Sequence, residues 1–284
     1  MSVLVGLIVM LGMLVIVPAG LRLADAPDLD RMARLWPVFA VPGAVALWLP
    51  RGPAATALAL CYGLGTALLA LHILPRLLRR PAPLRSSRTA PAGIALLTAL
   101  VTPSVAAAAL VAERSGHPLF GFGLGILALT VPHFHFAGFA AALVSGLVGR
   151  VAGSAAGRFA ALSVPLGTFL VLLGYFIGDW AELAGAVVLT AGMWTVALLT
   201  WNTVLPTARD RATRLLLGTS AAVLAVTMVL ALCWALGEAT GLPHPGLAWM
   251  AATHGVGNAL GFALCSVLAW KRLSRPTTHE GRPA

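Results

Sequence analysis

The chain has 284 residues, of which 59% are hydrophobic and only 10% are charged, with a mean hydropathy of +0.92. That much apolar surface cannot be hidden inside one water-soluble core, which excludes a soluble globular domain and points to an all-α, polytopic transmembrane helix bundle. The formal net charge of +10 does not argue for a nucleic-acid partner, because the basic residues fall in loops on one side of that bundle.

Nine apolar stretches are predicted to span, at roughly 2–19, 35–50, 54–75, 91–112, 120–148, 159–178, 183–205, 215–236 and 247–270. About 20 helical residues cross the hydrocarbon. The first stretch has no basic residues before it and three arginines after it, Arg22, Arg31 and Arg34. It therefore reads as an uncleaved anchor with its amino terminus outside. The second is short and carries Pro42 at its centre, so the count falls to eight if it is re-entrant. Thr102-Pro103-Ser104 reads as a mid-span break. Residues 1–270 form a single transmembrane domain, and 271–284 form a basic cytoplasmic tail.

Charge tests the alternation. With the amino terminus outside, the inner loops hold Arg22, Arg31 and Arg34, the tract Arg76, Arg79, Arg80, Arg85 and Arg88, then Arg150 and Arg158, Arg209, Arg211 and Arg214, and finally Lys271, Arg272, Arg275 and Arg282. That is 17 of the 19 basic residues, leaving Arg51 and Arg114 outside. The bias is what the positive-inside rule expects of a multi-pass protein of the inner (plasma) membrane, with the bilayer as its partner.

The fifth stretch contains Thr130-Val131-Pro132-His133-Phe134-His135-Phe136-Ala137-Gly138-Phe139, and from Leu119 to Val148 it has no other ionisable side chain. An ionisable group at mid-membrane is costly to desolvate and marks a functional site by default. His133 and His135 are about 200° apart on an unbroken helix. Pro132 cannot donate to the carbonyl of Ala128, so a loosened turn there is expected to aim both rings inward. In the last stretch His254 and Asn258 are four apart on one face. Both stretches enter from outside, and a rise of about 1.5 Å per residue places His133, His254 and Asn258 in one layer. Above that layer, the short connection Gly178-Asp179-Trp180-Ala181-Glu182 keeps two carboxyls near the apolar boundary, where one can serve as an acid.

Phe134, Phe136, Phe139, Trp194 and Trp249 are placed to wall an apolar pocket and to stabilise a cation through their ring faces. His72 and Asn202 lie toward the inner ends. Cys61, Cys233 and Cys265 are odd in number, lack ligand spacing and read as buried inert thiols. His-x-His on a helix is poor chelate geometry, so no metal is expected. No cofactor is expected either, since the chain has no phosphate-cradling loop or nucleophile elbow.

The run Val131 to Phe139, together with Thr253-His254-Gly255 and Asn258, resembles the bacterial YndJ-like integral membrane family. That resemblance implies a helical membrane fold and candidate polar residues, and members are sometimes labelled transporters. The Ala-, Arg- and Gly-rich chain is also similar, more loosely, to actinobacterial membrane-bound terpene cyclases, which open an isoprenoid epoxide or protonate an alkene. The function expected first is a membrane terpene cyclase acting on a hydrophobic isoprenoid. Asp179 or Glu182 would be its acid, with His133, His135, His254 and Asn258 orienting groups or accepting the last proton. The alternative is a transporter or proton-coupled permease using the same cluster. A cyclase requires an apolar cavity with polar groups at one end, whereas a permease requires a polar path to both faces.

Overall fold

A computed structural model describes residues 2–72 and 90–274. The basic tract from Arg76 to Arg88 and most of the expected tail, residues 275–284, lie outside the described residues. Among the described residues, nine helices follow in chain order: α1 (Val3–Leu23), α2 (Pro27–Ala46), α3 (Pro53–Leu71), α4 (Ala90–Ser115), α5 (Leu124–Ala152), α6 (Ala155–Ile177), α7 (Asp179–Thr207), α8 (Arg211–Thr240) and α9 (Leu247–Leu273). All but α2 are long and apolar enough to cross a membrane. The protein is a multi-pass helical membrane bundle.

Local chemistry sets the boundaries. Ser2, Ser154 and Asp210 accept from the backbone N–H groups of Val5, Gly157 and Thr213, satisfying donors that an isolated helix start leaves open. Gly153 and Gly241 stop α5 and α8 in the left-handed conformation, with φ of +57° and +73°. Helix α2 begins well before the expected 35–50 stretch. Pro27 is pre-organised for the first turn, and Asp28 and Asp30 there favour the positive end of the helix dipole. Only its second half, Pro37–Ala46, is an apolar helix.

The expected break at Pro103 is absent, since α4 runs unbroken through it. Ser104 donates to the carbonyl of Thr66 (3.1 Å) on α3, turning that polar step into an interhelical contact. The helices are instead loosened by π turns, at Gly12–Ile16 in α1, Phe134–Ala140 in α5, Thr200–Val204 in α7, and Ala251–Gly255 and Gly257–Leu264 in α9. The one in α5 starts two residues after Pro132, as the missing donor predicts. Those in α9 have no proline to announce them.

Trp36, Tyr62, Phe139 and Phe262 are among the largest fully buried side chains. Trp36 donates its indole N–H to the carbonyl of Met13 (2.8 Å), inside the π turn of α1. Outward faces are apolar, as with Leu60, Leu64 and Leu71 of α3, and suit a hydrocarbon surround. Cys61 and Cys233 belong to that outer surface and Cys265 is half-buried, so the expectation of buried thiols fails. A small apolar thiol is as well accommodated by lipid as by a core.

Two polar clasps hold helix ends at opposite faces. Glu113, fully buried, accepts from Arg51 (2.8 Å) and from its neighbour Arg114. Arg114 also reaches the carbonyls of Ala46 and Leu49. Arg51 and Arg114, the two bases expected outside the inner loops, are thus structural ties closing α2, α3 and α4. At the other face Arg272 of α9 donates to Asp210 and Thr213 of α8, both at 2.9 Å.

Candidate active site

Helices α1, α5, α6, α7, α8 and α9 line a cavity of about 240 Å³. Its wall is mostly aliphatic and sulfur-bearing, with Leu189, Met193, Met228 and Val171 among the lining residues. Phe136, Tyr175, Trp234 and Phe262 supply the aromatic faces. Four other polar groups join Tyr175 on this wall, namely His133, Glu182, His254 and Asn258. Histidines from the fifth and ninth helices do meet in one chamber.

The last helix carries a braced network. His254 donates from Nδ1 to the carbonyl of Thr227 on α8 (2.8 Å), which fixes its tautomer and leaves Nε2 as an acceptor. Asn258 lays its amide nitrogen against the ring, 3.1 Å from Nε2 and 3.4 Å from Nδ1, while its Oδ1 accepts from the Thr227 hydroxyl (2.8 Å). Thr227 thus positions both residues. The π turns of α9 run through both of them.

His133 and Glu182 differ from this pair. Among the described residues the His133 ring makes an edge contact with Phe134 and no hydrogen bond. The half-buried Glu182 makes neither a hydrogen bond nor an ion pair there. An imidazole and a carboxyl therefore face one apolar cavity with their proton-transfer capacity unengaged.

Glu182 reaches the cavity because α6 and α7 are joined through Gly178 alone, at φ +136°, a conformation only glycine adopts easily. Close below, Gly174 lets the α6 backbone touch that of α7 at Glu182 itself.

His135 belongs elsewhere. Its ring is fully buried, with Nδ1 donating to the carbonyl of Val131 (2.7 Å) and Nε2 accepting from the Tyr62 hydroxyl (2.5 Å). The two histidines retain opposite faces of α5, and the π turn does not bring them together. Asp179 is exposed and is not part of the wall. Of the five aromatic residues expected to wall the pocket, only Phe136 does. Phe134 and Phe139 pack in the core, while Trp194 and Trp249 are 38% and 49% exposed on outward faces.

Tyr175, Trp234 and Phe262 were missed because helix rotation is invisible in a uniformly apolar run. One signal was present, since the chain has only two tyrosines. Tyr62 meets the buried His135, and Tyr175 shares the cavity wall with Glu182.

Fold and site together define a multi-pass helical membrane protein with an internal apolar cavity bearing histidine, asparagine and carboxyl groups. The YndJ-like protein family model matches residues 7–262, and the chain belongs to that family. No curated protein and no solved structure matches it.

Proposed function

We propose that the protein is an acid–base enzyme of the membrane interior, a cyclase of isoprenoid chains. The observation that carries this reading is the pairing of an unengaged carboxyl, Glu182, with an unengaged imidazole, His133, in one predominantly apolar cavity. Glu182 delivers a proton to a terminal alkene or epoxide. The carbocation so formed migrates along the chain as rings close, facing Phe136, Trp234 and Phe262 and kept from water. His133 accepts the proton released when the last alkene forms. His254, held by Thr227 and Asn258, orients the reacting end. Glu182 is preferred to Asp179 as the acid because Asp179 is not on the wall.

The same loop charges favour a plasma-membrane setting with the amino terminus outside and the carboxyl terminus inside. In that orientation Glu182 lies toward the outer face and Asn258 deeper.

The π turns beside His133 and His254 favour a second reading, a proton-coupled permease, since irregular helix turns recur at transport sites. That function needs a polar route onward to the inner face. The cavity wall passes instead to Phe262 and Ala141, and neither His72 nor Asn202 lines it.

The test is turnover. Purified protein in lipid nanodiscs is incubated with polyprenyl and epoxypolyprenyl substrates, beside Glu182→Gln and His133→Ala. Cyclic products from the wild type that fall in both variants support the cyclase. A wild type inert across the panel, or a fully active Glu182→Gln, overturns it.

A further inference from the structure

A second hollow adjoins the cavity. This groove, between the starts of α1, α5 and α9, is lined by Ser2, Gly125, Ile126 and Ala248. Val5, Leu129, Leu247 and Ala251 border both hollows. Groove and cavity therefore abut across four shared apolar residues.

Three features suit that groove to a lipid surround. Leu4 and Ile126 on its rim are 41% and 38% exposed. Side chains are missing where they would fill it, since a Cβ added at Gly123 or Gly125 meets nothing within 4 Å. Helix α9, which forms one bank, is the least enclosed span, with 28% of its apolar window buried. Apart from Ser2, whose hydroxyl accepts from the N–H of Val5, the groove lining has no polar side chain. Nothing there solvates a headgroup, whereas a hydrocarbon chain fits it.

We propose that this groove is a lateral portal, through which a single-chain isoprenoid amphiphile enters the cavity from the bilayer. The reacting terminus lies against Glu182 and His133, and the rest of the chain trails past the four shared residues toward lipid. The site accordingly takes chains longer than the cavity itself. This inference rests on the cyclase reading for the class of substrate, but access can be measured without turnover.

A polyprenyl alcohol carrying a diazirine at its hydrocarbon terminus is photolysed with the full-length protein in phosphatidylcholine nanodiscs, and adducts are mapped by mass spectrometry. Label is expected on cavity peptides containing Met193 or Met228 and on groove peptides containing Ile126 or Ala248. Gly125→Trp and Ala248→Trp plug the groove from opposite banks. Each should abolish cavity labelling while keeping the wild-type melting temperature, whereas Leu60→Trp, on the lipid-facing surface of α3, should leave it unchanged. Cavity labelling that survives both plugs, or is absent from the wild type, overturns the portal. Labelling blocked by both plugs, with no cyclic product from any substrate, leaves the portal standing and removes the cyclase.

Discussion

Tyr62 of α3 donates its hydroxyl to Nε2 of His135 on α5 across 2.5 Å, with both side chains fully buried. The near-parallel rings lie 5.8 Å apart, and Trp36 meets Tyr62 edge-on at the same separation. The joint is structural, because His135 is satisfied at both nitrogens and is not on the cavity wall. Removing the hydroxyl strands a fully buried acceptor. Tyr62→Phe should therefore cost about 1–3 kcal/mol of stability, read as a lower melting temperature in detergent. Turnover per folded molecule should be unchanged.

The same joint depends on missing side chains. A Cβ at Gly12 would sit 2.8 Å from that of His135, and one at Gly43 would sit 2.7 Å from that of Tyr62. Gly12→Ala and Gly43→Ala should each destabilise by about 1–3 kcal/mol through overpacking. Thermal melts of the two variants check this, and unshifted melts would mean that the helices part without strain.

The cavity histidines should separate by role. His133→Ala removes a ring with no hydrogen bond among the described residues, so stability should barely change while turnover falls. His254→Ala and Asn258→Ala break the Thr227 network and should lower both. For Glu182→Gln, loss of a positioned acid should slow the reaction about 10²- to 10⁴-fold. Product formation and melting temperature measured on the same preparations check all four.

Asp210 gives a pH signature outside the spans. Its carboxylate accepts from the Thr213 hydroxyl (2.6 Å) and N–H (3.0 Å) and pairs with Arg272 (2.9 Å). These contacts, the Thr213 hydroxyl foremost, hold it well below the usual carboxylate range. A depressed folded-state value contributes stability that is present above the unfolded value, about 3.9, and lost as pH falls through the folded one. Asp210→Asn should therefore melt below the wild type at neutral pH, and the gap should close on acidification below about pH 4. Because the pair is exposed, added salt should narrow the gap as well.

Much of this organisation was legible in the sequence. Hydropathy and loop charge mark the spans because the bilayer imposes one length and one charge bias. A fixed rise per residue then grouped His133, His254 and Asn258, which line one cavity. Rotation was not legible. Nothing in an apolar run states which face meets a neighbour, so His135 was grouped with His133, and Trp194 and Trp249 with the pocket. Interhelical satisfaction was equally hidden, since the Thr227 bridge and the Tyr62 joint exist only once distant helices pack.

The glycines between α6 and α7 have a consequence for how Glu182 works. With Gly174 lying against its main chain, the residue is mounted on a bracket rather than on a spring. In the proposed reaction, whatever its carboxyl travels in delivering a proton would come from rotation about its own side-chain bonds. A guest molecule would therefore have to present its reacting atom within that short arm's sweep, and chains that stop short of it should be left unconverted.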